Sequence, residues 1–83
     1  MTTHTLKILP EFFDAVISGR KTFEVRQGRD FAEGDTVVLK EWEEEAGGRY
    51  TGRELTRCIG FVLQDPRFLP GRMCVFSLLP MGD

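Results

Sequence analysis

Gly19-Arg20-Lys21-Thr22-Phe23-Glu24-Val25-Arg26 is the stretch on which the reading of the fold turns. A glycine at position 19 can take the left-handed conformation just past a last helical turn, and so ends a helix. Thr22 to Arg26 then reads as a strand, in which neighbouring side chains point to opposite faces. Phe23 and Val25 share one face, and Thr22, Glu24 and Arg26 share the other. The expected arrangement is a buried apolar pair backed by a polar face, with Lys21 at the mouth. Strict alternation would put Lys21 with Phe23 and Val25. It joins Glu24 and Arg26 only if the turn from helix to strand rotates it, and Gly19 supplies that freedom.

Upstream, Thr5 to Ile8, extending toward His4, reads as a first strand. Pro10 fits the first turn of a helix, where its missing N–H costs nothing. Phe12, Phe13, Val16 and Ile17 form one apolar stripe at about 100° per residue, with Glu11, Asp14 and Ser18 on the opposite side. Downstream, Gln27 to Asp35 is a loop ending in the turn signal Glu33-Gly34-Asp35. Thr36 to Trp42 is a strand rich in β-branched residues, and Ala46-Gly47-Gly48 marks a hairpin turn. Arg49 to Leu63 carries the chain back, with Leu55, Ile59, Phe61 and Leu63 on one parity and a bulge expected at Gly60. Gln64 to Arg72 is a loop long enough to cover a site. Its Phe68 and Leu69 are expected to fold back as a plug, or else to cap a pocket whose rim Arg67 and Arg72 extend. Met73 to Leu79 is a final apolar strand, and Pro80 to Asp83 a tail.

This order predicts an α+β, mostly β fold: a small, strongly bent barrel of about five or six strands, with one short helix after the first strand. An open two-layer sandwich is the alternative. Eighty-three residues make a single domain over 1–83.

The formal net charge of -2 argues against a protein that coats nucleic acid through bulk electrostatics. A focal basic patch is still available, because Arg20, Lys21, Arg26 and Arg29 fall close together. The acidic excess sits in Glu41, Glu43, Glu44 and Glu45, expected as a solvated hairpin that repels phosphate. Cys58 and Cys74 have no CxxC spacing and read as buried free thiols. One histidine and two scattered cysteines are too few ligands for a metal site, so neither metal nor cofactor is expected. No apolar run is long enough to cross a bilayer, and the N-terminus lacks the apolar core of a signal peptide, so the expected location is the cytoplasm.

Lys21, Glu24 and Arg26 suit a polar ligand with an anionic part, such as a nucleotide. Arginine offers a planar fork to phosphate, lysine a compact charge, and a carboxylate between them accepts hydrogen bonds from a base. An ion-pair cluster that only holds the helix–strand junction is the structural alternative. Arg29 and Asp30 either widen the patch or order the loop before Phe31. Trp42 and Tyr50 either pair across two strands or stack on bases. His4 lies near a chain end, where a surface role is the plain reading.

The opening stretch resembles the GxKxxExR motif of ASCH domains, in the PUA-like superfamily. His4-Thr5-Leu6-Lys7, Phe12-Phe13 with Val16, Arg29-Asp30-Phe31, Gly34-Asp35-Thr36-Val37, Leu39, Glu41-Trp42 and Tyr50-Thr51-Gly52-Arg53 are similar to its DUF3850 branch. The likeness runs from His4 to about Leu79. It implies a small β-barrel with a helix at its side and a cleft lined by the motif, binding RNA or a nucleotide. Lys21 and Arg26 would contact phosphate and Glu24 a base edge, with Arg20, Arg29 and His4 nearby. One enzymatic branch deacylates N4-acetylcytidine with a lysine, a threonine and a late glutamate. Lys21 falls on that lysine, but Glu24 holds the threonine's place and Met73 to Leu79 contains no glutamate. The expectation is therefore a binding module for RNA or a nucleotide-like ligand. The alternatives are a small hydrolase of a modified nucleoside acting through Lys21, and a protein-binding module using the acidic hairpin.

Overall fold

The computed structural model describes residues 1–82; the expected tail ends at Asp83, which lies outside the described residues. The chain runs β1 (Thr3–Ile8), α1 (Pro10–Ile17), β2 (Phe23–Gln27), β3 (Thr36–Glu43), a 3-10 turn (Glu45–Gly47), β4 (Arg49–Leu63) and β5 (Met73–Leu79). The five strands form one sheet in the order β1-β3-β4-β5-β2. β1 pairs with β3 in parallel, and the other neighbours are antiparallel. The sheet curls into a half-barrel whose two edges, β1 and β2, approach each other: the Arg26 guanidinium on β2 donates to the Lys7 carbonyl on β1 at 2.7 Å.

The interior fills from alternate positions of each strand. Val37 and Leu39, Cys74, Phe76 and Leu78, and Ile59 line it, with Ile8 from β1. Helix α1 carries Pro at its start and Glu11 in its first turn, where a negative charge suits the helix dipole. Only Phe13 and Val16 of its apolar stripe are buried; Phe12 and Ile17 are about half exposed. Past Ser18, Gly19 takes φ 80°, and the Lys21 N–H returns to the Ala15 carbonyl at 2.9 Å. This is the rotation that Lys21 requires.

Four expectations are corrected by the side-chain placement. Phe23 and Val25 are 44% and 46% exposed, while Glu24 is buried. Register explains it: Glu24 stands opposite Phe76 on β5, directly opposite residues share a face, and Phe76 is fully buried. Phe61 is 65% exposed because the register of β4 against β5 shifts between Ile59 and Val62, which turns Val62 toward the core instead. Gly60 makes that shift possible. A Cβ there would lie 2.4 Å from the Ser77 Oγ, the oxygen that accepts the Phe61 N–H at 2.9 Å.

Phe68 neither plugs the barrel nor caps a pocket, being well exposed, with the Arg67 guanidinium near its ring and paired to Asp65. Glu41 is not part of a solvated acidic face: it is buried. Its carboxylate accepts from the Thr51 hydroxyl at 2.6 Å and from Arg53 Nε and Nη2 at 2.9 and 2.7 Å. The same guanidinium reaches Asp14 on α1 at 3.0 Å and lies over the Phe13 ring, so one arginine ties the helix to β3. Trp42 and Tyr50 do pair across β3 and β4, edge to face. Both cysteines are free; Cys74 is buried, which pushes its thiol pKa up, and Cys58 is half-buried.

Glu41 gives the fold an acid limit. The hydrogen bonds from Arg53, and then from Thr51, hold its carboxyl at about 2 against an ordinary value of 4.5. A depressed folded-state pKa contributes stability that is complete above the unfolded value and is lost as pH falls toward the folded one. Urea unfolding is therefore expected to show stability falling between pH 4.5 and about 2, with a shallower fall in Glu41→Gln. Equal slopes for the two proteins would remove Glu41 as the source.

Candidate functional site

The closest approach of the two sheet edges leaves a cleft between the end of β1, the outer side of α1 and strand β2. It encloses about 630 Å³ and is lined by Lys7, Ile8, Leu9, Phe12, Ala15 and the motif residues Arg20, Lys21, Phe23, Glu24, Val25 and Arg26. That volume lies within the range of ligand pockets, roughly 300–1,000 Å³.

Glu24 is the pivot. Arg26 donates to its Oε1 from Nε at 3.0 Å and from Nη2 at 2.6 Å, and the Lys21 ammonium donates to its Oε2. Lys21 also donates to the Phe23 carbonyl at 2.7 Å. A buried carboxylate needs such partners, and here both partners are cations that remain partly open: their side chains are 16% (Lys21) and 24% (Arg26) exposed. Arg26 Nη1 makes none of the described hydrogen bonds, and one Lys21 proton is also left over. Among the described residues Arg20 bonds only through its Nε, to the Ser18 hydroxyl. The unused capacity of the cleft is thus almost entirely donor capacity, which suits acceptor oxygens on an anion.

The apolar part of the cleft is aromatic. The Lys21 ammonium lies 5.8 Å from the Phe12 ring centroid and 5.1 Å from that of Phe23, and each ring is 44% exposed. Sequence pattern places both rings in the core, whereas the fold places them in the wall of the cleft. Phe12 and Phe13 sit about 100° apart on a helix, so a narrow buried stripe cannot hold both. The signal for Phe23 was in β5, whose single polar residue, Ser77, stands opposite it and marks that face as the outer one.

Of the residues expected at the site, Lys21, Glu24, Arg26 and Arg20 converge. Arg29 and His4 do not line the cleft. Arg29 donates to the carbonyls of Gln64 and Gly71 at 3.3 Å each, so it orders two loops. His4 Nε2 pairs with Asp35 at 2.8 Å and its ring meets Phe31. Asp35 also accepts the backbone N–H groups of Thr2 and Ala32, and these bonds, that of His4 foremost, hold its carboxyl below the usual range. His4 therefore fastens the first strand to the turn before β3. Among the described residues there is no cluster of three or more metal-ligating side chains and no helix long and apolar enough to cross a membrane.

A stretch of 53 residues, 63% of this chain, is 38% identical to the "Uncharacterized 12.9 kDa protein in GpA 3'region" of Escherichia phage P2. The match spans 46% of that phage protein. The family model described as "Domain of unknown function (DUF3850)" matches residues 3–78. That span takes in β1 through nearly all of β5, and with them every wall of the cleft. The chain is therefore a member of the DUF3850 family.

Proposed function

We propose that this protein is an RNA- or nucleotide-binding module of the ASCH, PUA-like kind, with the cleft between β1, α1 and β2 as its binding site. The observation that carries the reading is the pairing of unused donors on Lys21, Arg26 and Arg20 with two half-exposed phenylalanine rings around one cavity. Phosphate oxygens take the donors, the arginine fork giving geometry and the lysine a point charge. A base lies against Phe12 and Phe23, since every base offers a π-face to an aromatic ring. Glu24 serves inside the site: with both oxygens engaged, it aims the two cations rather than reading a base edge.

The hydrolase reading gains nothing from this arrangement. Both Glu24 oxygens are already engaged by Lys21 and Arg26, and β5 supplies no glutamate.

Fluorescence anisotropy with a labelled RNA octanucleotide at several salt concentrations tests the proposal. Lys21→Ala is expected to weaken binding about tenfold or more and to lower the salt slope by about one. An unchanged affinity and slope would overturn it.

A further inference from the structure

The cleft has a neighbour. A second hollow of about 280 Å³ is lined by Lys7, Ile8, Leu9, Trp42 and Glu44. Lys7, Ile8 and Leu9 also line the main cleft, so the two hollows share one wall, the end of β1 and the entry to α1. On the far side of that wall Trp42 and Tyr50 stand 4.8 Å apart, edge to face. The Lys7 ammonium lies 3.8 Å from the Trp42 ring centroid and the Lys40 ammonium 4.6 Å from that of Tyr50. Lys7 thus belongs to both hollows, with its carbonyl held by Arg26 and its ammonium over Trp42.

The seat of Trp42 is built into the hairpin. Gly48 has φ 86°, and a Cβ on it would lie 2.4 Å from Trp42 Cζ2. The indole can rest against that backbone only because position 48 has no side chain, and the Lys7 ammonium lies over the ring. The run of glutamates at this end of the molecule predicts that it repels phosphate. In the fold, two lysines lie over its aromatic pair.

We propose that the second hollow is a base-stacking subsite, so that the protein takes a single-stranded oligonucleotide across two consecutive nucleotides rather than one nucleotide alone. This rests on the nucleotide-binding reading of the main cleft. The first nucleotide occupies the Phe12–Phe23 side with its phosphate on Lys21 and Arg26. The second base stacks on Trp42, in the place the Lys7 ammonium holds in the free protein. That ammonium moves to the phosphate joining the two nucleotides, exchanging a cation–π contact for a charge-assisted hydrogen bond. Glu44 at the rim accepts a hydrogen bond from an exocyclic amino group, as a carboxylate does from cytosine N4. Uracil has no such donor, so the subsite prefers cytosine to uracil.

Calorimetric titration with cytidine 5'-monophosphate and with the 5'-phosphorylated dinucleotides of cytidine and uridine separates the possibilities. The cytidine dinucleotide is expected to bind at least ten times more tightly than the mononucleotide. Trp42→Ala should remove that gain and leave mononucleotide affinity within twofold. Glu44→Gln, an exposed change that the fold tolerates, should abolish the preference for the cytidine over the uridine dinucleotide. A dinucleotide no tighter than the mononucleotide would overturn the subsite and leave the main cleft's role intact. So would a Trp42→Ala protein that loses both ligands equally. Failure of every probe to bind would overturn the nucleotide reading itself, and the subsite with it.

Discussion

Arg26→Ala is expected to lose nucleotide or RNA affinity by about 30- to 150-fold, the largest binding loss of any single change in the cleft. The reason is that one guanidinium has three tasks. It donates twice to the buried Glu24 carboxylate, bridges the two sheet edges through the Lys7 carbonyl, and lines the cleft with an Nη1 that makes no hydrogen bond among the described residues. Hydrogen bonds to charged groups are worth about 1.5–3 kcal/mol, and tenfold in affinity is about 1.4 kcal/mol. Removing the ligand contact and the device that orients Lys21 through Glu24 together accounts for the range. Arg26→Lys keeps the charge but not the fork, so it should recover only a minor part of the affinity. Titration of wild type, Arg26→Ala and Arg26→Lys with one RNA oligonucleotide decides this. Full recovery in Arg26→Lys would show that charge alone, and not the bridged geometry, governs the site.

The largest stability effect is expected for Phe13→Ala. Phe13 is 1% exposed, packs in the core with Ile8, Val16 and Leu39, and carries the Arg53 guanidinium over its ring. Truncating a buried phenylalanine costs about 3–5 kcal/mol. At about 0.05–0.15 kcal/mol per residue, a domain of this size has about 4–12 kcal/mol in all. The substitution therefore takes about a quarter or more of the total, and should lower Tm by more than about 12 °C. Because α1 forms one wall of the cleft, ligand binding should fall in step with the folded fraction. A loss below about 1 kcal/mol in urea unfolding would mean that Phe13 does not dock the helix.

Much of this structure was legible beforehand, for identifiable reasons. Gly19, Pro10 and Gly60 are punctuation with a local physical cause, so the helix limits, the turn and the bulge followed from them. The span Arg49 to Leu63 reads in sequence as one return segment and is one strand. Which way β2 faces was not legible, because it depends on register against β5. There six of seven residues are apolar, and only Ser77 breaks the tie. The burial of Glu41 depends on Arg53, twelve residues away, reaching across the strand pair. In sequence, Glu41 looks like any of its acidic neighbours. The same limit applied to the site. The charged motif stood out because its residues are adjacent, whereas Phe12 and Lys7 join it only through the curl that brings β1 beside β2.

Nucleotide binding is expected at the seam between β1 and β2. The most direct test is an NMR titration of the isotopically labelled protein with cytidine 5'-monophosphate, followed residue by residue. Saturable shifts are expected at Lys7, Phe12 and Arg20 through Arg26, with the loop from Gln64 to Arg72 unmoved. Shifts confined to that loop or to the hairpin at Glu43 to Glu45, or no saturable shift at all, would contradict it.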